Sequence, residues 1–153
     1  MSLSPLLAGL SAALLFAGAA AAQPERAHGQ AARNELRIVI DDVTSDRGHV
    51  RVDVCTRSEF LKDCRYSGAA PATPGVTVVV VRDLPPGVYA VQAYHDQNDN
   101  HDVDRDFLGI PREPVGFSND APVRLGPPSF KAAAFGYAGG EEAITLRLRR
   151  FGP

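Results

Sequence analysis

The sequence predicts an all-β chain folded as an antiparallel β-sandwich of about seven strands. Two observations carry this expectation: several runs alternate apolar and polar residues, and clusters of Pro, Gly, Asp and Asn interrupt them at short intervals. A third is negative, since almost no segment past residue 35 shows a helical period.

The elements follow in order. Residues 1–22 are Ala-rich and uncharged, with Leu6, Leu7, Leu10, Leu14, Leu15 and Phe16, and they end at Ala20-Ala21-Ala22 before Gln23. That pattern predicts a signal peptide cleaved after Ala22, although no Lys or Arg precedes the apolar run; the alternative is an uncleaved membrane-anchoring helix. Residues 23–34 are polar and aperiodic, which predicts a flexible leader, and residues 35–151 form the domain. Leu36, Ile38 and Ile40 mark one half-buried strand, and Val50, Val52 and Val54 mark another. Asp42 to Gly48 between them suits a hairpin connection. Ser58 to Tyr66 is the one plausible helical turn. Val76 to Val81 is a β-branched run expected to be a central strand buried on both faces. Leu84-Pro85-Pro86-Gly87 turns the chain into a strand from Val88 to Tyr94. Residues 111–128 read as an irregular crossing with a short strand at Val123 to Leu125, and Phe130 to Tyr137 with Ala143 to Arg149 read as a closing hairpin around Gly139-Gly140.

Composition excludes several classes. Removal of residues 1–22 from the 153 leaves 131, enough for one domain with its own core. All 16 basic and 18 acidic residues lie there and nearly cancel, so no net field favours nucleic acid, and no membrane span is expected after cleavage. Cys55 and Cys64 are the only cysteines, and an exported chain is expected to bridge them.

Chemistry is concentrated in residues 95–106, His-Asp-Gln-Asn-Asp-Asn-His-Asp-Val-Asp-Arg-Asp. Asp96, Asn98, Asn100, Asp102 and Asp104 place oxygen ligands at every second position, which suits a hard cation such as Ca²⁺. They fall at positions 1, 3, 5, 7 and 9 of an EF-hand loop, but position 12 is Phe107 rather than Glu. Without that bidentate carboxylate, binding at about 10⁻⁴–10⁻³ M is expected. The bland alternative is a solvated turn whose Asp and Asn satisfy their own backbone. A transition-metal or hydrolytic site using His95, Asp96 and His101 is the rival reading, and convergence of His95, Asp106 and Glu113 would favour catalysis.

The order of Leu84-Pro85-Pro86-Gly87-Val88-Tyr89-Ala90, His95-Asp96-Gln97-Asn98-Asp99-Asn100, Gly109-Ile110-Pro111, Glu113-Pro114, Gly116-Phe117-Ser118-Asn119 and Pro127-Pro128-Ser129-Phe130 resembles the bacterial family DUF2141 over roughly residues 35–150. The resemblance implies an exported, Ig-like or transthyretin-like sandwich and no established activity. Many members are similar to D-x-N-x-N-G in the loop; here His101 stands at the sixth place, where glycine would turn without steric cost.

Ser118 and Ser129 lie in no G-x-S-x-G elbow and read as turn residues rather than nucleophiles. Phe117 and Phe130 either plug the end of the core or form an exposed binding rim. Together these readings describe a periplasmic or secreted, monomeric binding module rather than an enzyme. Its ligand, an envelope protein, glycan or small molecule, would sit on the loops around residues 95–130, with Ca²⁺ as the possible cofactor.

Overall fold

The computed structural model describes residues 34–151, so the expected signal segment and nearly all of the leader lie outside the described residues. Eight strands form two facing sheets: β1 (Glu35–Val43), β2 (His49–Cys55), β3 (Tyr66–Pro71), β4 (Gly75–Arg82), β5 (Gly87–Asp96), β6 (Val115–Phe117), β7 (Phe135–Tyr137) and β8 (Glu141–Arg147). One sheet has the order β4-β1-β8 and the other β3-β2-β5-β6, with β7 also paired to β5. Period-two patterning explains the packing. Leu36, Ile38 and Ile40 of β1 are fully buried against Val50, Val52 and Val54 of β2 and Val91 of β5. Each such side chain contributes about 1.5–3 kcal/mol by leaving water.

A second apolar cluster lies around Cys55 and Ala90, where Phe60 meets Phe117 and Phe130 edge-to-face at 6.0 and 5.7 Å. Cys55 and Cys64 are disulfide-bonded with Cα atoms 5.0 Å apart, clipping the segment that carries Phe60 to the end of β2. Phe117 and Phe130 are each only 8% exposed, so they plug this cluster and form no binding rim.

Several local expectations are corrected by long-range pairing. Asp42 to Gly48 closes no hairpin, because β1 and β2 belong to different sheets; polar turn chemistry marks a reversal but not the partner. The valine run of β4 is an edge strand: Thr77, Val79 and Val81 point inward, while Val76 and Val78 are exposed. Residues 57–61 form hydrogen-bonded turns, with Phe60 N donating to Thr56 O, and the helices among the described residues are instead a 3-10 turn at Ser118–Asp120 and α1 (Phe130–Ala133), capped by Ser129. Val123 to Leu125 is not a strand, whereas Val115–Phe117 is, held by pairing to β5. Nor do the last two strands form a hairpin. β7 pairs with β5 and β8 lies parallel to β1, which makes the three-stranded sheet mixed rather than purely antiparallel.

Near the site the sheets are drawn together. Val115 and Arg149 exchange backbone hydrogen bonds of 2.9 and 2.8 Å. A Cβ on Gly116 would lie 2.3 Å from the Arg147 carbonyl oxygen, so only glycine allows β6 to approach β8 this closely.

Candidate functional site

β5 runs without interruption into the acidic loop, whose first residue is held by its neighbour strand. Asp96 is fully buried, and its carboxylate accepts a 2.6 Å hydrogen bond from Arg51 Nε on β2. The same carboxylate accepts the amides of Asn100 at 3.1 Å and His101 at 3.0 Å, so it folds the chain back over itself. Burial pushes the Asp96 pKa up, but Arg51 and the two amides outweigh it and hold the group below the usual aspartate value. Beside it, burial and then the Asp96 charge push Tyr94 up to about 12.

The rest of the loop uses the same chemistry. Asn98 Oδ1 accepts the Asn100 amide at 3.2 Å, and Asn100 Oδ1 accepts the Asp102 amide at 3.0 Å. These are side-chain turns that short polar residues make readily. Both asparagine Nδ2 groups donate at 2.8 Å to Asp104, one to each carboxylate oxygen. Asn98, Asn100 and Asp104 are therefore gathered at one point, with Asp96 behind them. Asp102 is exposed, and its carboxylate accepts the Val103 amide at 2.7 Å.

Two backbone features make this path possible. His101 has φ of 68°, in the left-handed region that glycine would enter at no cost. At Gly48, where φ is 66°, a Cβ would lie 2.0 Å from the Asp96 carbonyl oxygen, so the turn before β2 seats the start of the loop only as glycine. Asp99 fastens the outer edge, with His49 Nδ1 at 2.6 Å from its carboxylate.

Glu113 closes the loop from the far side. It is 4% exposed and accepts the amides of Gln97 at 2.8 Å and Asp104 at 3.2 Å. Asp106 is committed similarly, accepting the Leu108 and Ile110 amides at 2.9 Å each. His95 is fully buried, with Nε2 at 2.8 Å from the Arg47 carbonyl and Nδ1 without a partner. His95, Asp106 and Glu113 thus each serve separate backbone groups, and no hydrogen bond joins any two of them among the described residues. No group of three or more His, Cys, Asp or Glu side chains among the described residues is arranged to hold a metal ion. Asn oxygens would have to complete any cation site here.

Ser118 is buried and accepts the Val91 amide at 2.8 Å, while its hydroxyl donates to the Ala133 carbonyl; Ser129 caps α1. Both are structural. The hollow lined by Val115, Phe117, Val123 and Arg147 holds about 10 Å³, room for roughly one water. Sequence reading missed Arg51, which looks like an ordinary outward residue of an alternating strand. Its importance arises from an ion pair spanning 45 positions, for which there is no local signal.

Comparison with known proteins bears on lineage. The family model described as "Uncharacterized protein conserved in bacteria (DUF2141)" matches residues 38–145, so the chain belongs to that family. No curated protein matches the chain, and no solved structure matches it.

Proposed function

We propose that this DUF2141 protein acts outside the cytoplasm as a non-catalytic binding module whose loop from Asp96 to Asp104 takes up Ca²⁺. The observation that carries this reading is the left-handed backbone of His101, at the sixth position of a loop whose first residue gathers the amides of the fifth and sixth. An EF-hand loop turns sharply at that position, where it has glycine, and takes side-chain oxygens from positions 1, 3 and 5. Asp96, Asn98 and Asn100 occupy those positions, and Asp104 lies against both asparagines. A cation entering there takes Asp104 from the two Nδ2 donors, which costs two hydrogen bonds. With no carboxylate at position 12, affinity falls in the range of extracellular modules, about 10⁻⁴–10⁻³ M. The disulfide supports an oxidising compartment, in keeping with export after Ala22. The ion then stiffens the loops to residue 113, on which an envelope protein, glycan or small molecule is held.

Thermal unfolding in millimolar Ca²⁺ and in EDTA tests this. Ca²⁺ at ten times its Kd stabilises the folded state by about 1.4 kcal/mol, a rise of roughly 3–8 °C in Tm for a domain of this size. Asp96→Ala abolishes the rise. Because that change also releases Arg51, Asn98→Ala and Asp104→Ala are measured beside it, and each reduces the response. Equal Tm in Ca²⁺ and EDTA would overturn the cation site.

A further inference from the structure

The acidic loop leads directly into an apolar tip that packs against nothing. Phe107 is 93% exposed and Leu108 69%, at the apex of a turn closed by the Arg105–Pro111 bridge. Flexibility does not explain this exposure, because the turn is heavily cross-bonded. Asp106 N donates to Ile110 O at 2.9 Å and Gly109 N to Asp106 O at 3.0 Å; the Asp106 carboxylate takes the Leu108 and Ile110 amides, and Arg105 Nη1 donates to Gly109 O at 3.1 Å. The tip therefore satisfies much of its backbone internally while presenting two large apolar side chains outward. A segment entering a lipid interface needs that combination, since a backbone polar group without a partner is costly once water is gone.

The flanks carry the matching charge. Arg105, Arg112 and Arg150 are all exposed, and none lies within ion-pair distance of a carboxylate among the described residues. Arg112 donates its amide to Asp104 O at 2.8 Å, and Arg150 reaches the Arg112 carbonyl at 3.3 Å, so both stand at the foot of the same loop. Asp104, Asp106 and Glu113, the carboxylates that flank Arg105 and Arg112 in the chain, are turned onto the loop's own amides.

We propose that the Phe107–Leu108 tip inserts into the headgroup region of an anionic lipid bilayer, with Arg105, Arg112 and Arg150 facing the lipid phosphates. This names the partner of the binding module and rests on that reading for its purpose, but it does not require the ion. A phosphate-bearing surface suits guanidinium groups, and each basic residue near an anionic surface adds roughly fivefold to its affinity, from about 1 kcal/mol.

The test is co-sedimentation of the exported protein with vesicles in EDTA, so that failure of the calcium site leaves it unaffected. Vesicles of phosphatidylglycerol and phosphatidylcholine bind at least about tenfold more protein than pure phosphatidylcholine, and 0.5 M NaCl removes most of the difference, as screening requires. F107D/L108D lowers binding at least about tenfold with Tm unchanged. R105Q/R112Q/R150Q removes the preference for anionic vesicles. Asp106→Ala keeps both apolar side chains but unpins the turn, and it also weakens binding. Equal sedimentation of F107D/L108D and wild type, or no wild-type binding above background, overturns the proposal. So does concentration-dependent dimerisation that F107D/L108D abolishes without vesicle binding, because the tip would then join two copies of the chain.

Discussion

At Arg51 and Asp96 a single ion pair decides how the loop meets the sheet. Asp96 is fully buried, so removing Arg51 strands a charge that only two amides still serve. Arg51→Ala should cost about 3–5 kcal/mol in urea unfolding, the range for breaking a buried pair from one side. The pH dependence has a definite sign. Asp96 is lowered in the folded state, so its stabilisation is present above the ordinary aspartate pKa and is lost as pH falls through the folded value. Asp53 shows the opposite case on the same face of β2. Burial raises its pKa against the Gln92 hydrogen bond, so its stability is greatest at low pH and falls as pH rises through the folded value. Unfolding at pH 7 and pH 3 separates the two. Asp96→Asn loses more stability at pH 7 than at pH 3, whereas Asp53→Asn gains slightly at pH 7. The alternating oxygens of the loop were legible in the sequence, since Asn98 and Asn100 act on residues two positions away. Arg51 was not, and Glu113 stood out only as a candidate catalytic group, because the partners that define each are brought near only by the fold.

Among the elements, β6 shows how a strand of three residues can hold a fold together. Gly116 lies under Arg147, and Ala there places a Cβ against backbone rather than against a movable side chain. Gly116→Ala should therefore lower Tm by roughly 3–15 °C, as expected when overpacking costs about 1–3 kcal/mol. Gly136→Ala in β7 is the control, since a Cβ there meets nothing within 4 Å and Tm changes little. Strands with strict alternation, β1 and β2, were evident from Leu36 to Ile40 and Val50 to Val54. β3 was not, because Tyr-Ser-Gly-Ala-Ala-Pro has weak β propensity and is placed by pairing with β2. The valines of β4 suggested a central strand for the same reason in reverse: composition reports propensity, while position in a sheet depends on the partner.

For the whole molecule, the disulfide joins a surface segment to the second apolar cluster, and reduction should destabilise without abolishing the fold. Cys55→Ser with Cys64→Ser lowers unfolding free energy by about 2–3 kcal/mol in denaturant titration, as expected for a short closed loop. The sandwich class followed from strand number and turns, but the pairing across sheets did not, since turn residues record where a chain reverses and not where it goes next. The parallel pairing of β1 with β8 carries a further consequence, for the order of assembly. Leu36 is in register with Glu142, 106 positions later (142 minus 36). Among the described residues, the first strand in the chain is also the middle strand of its sheet, and one of its two neighbours is the last. Closing so long a loop is entropically slow and high in contact order. Until β8 has paired, β1 has one edge open, and an unpaired edge of this kind is a template for pairing with another copy.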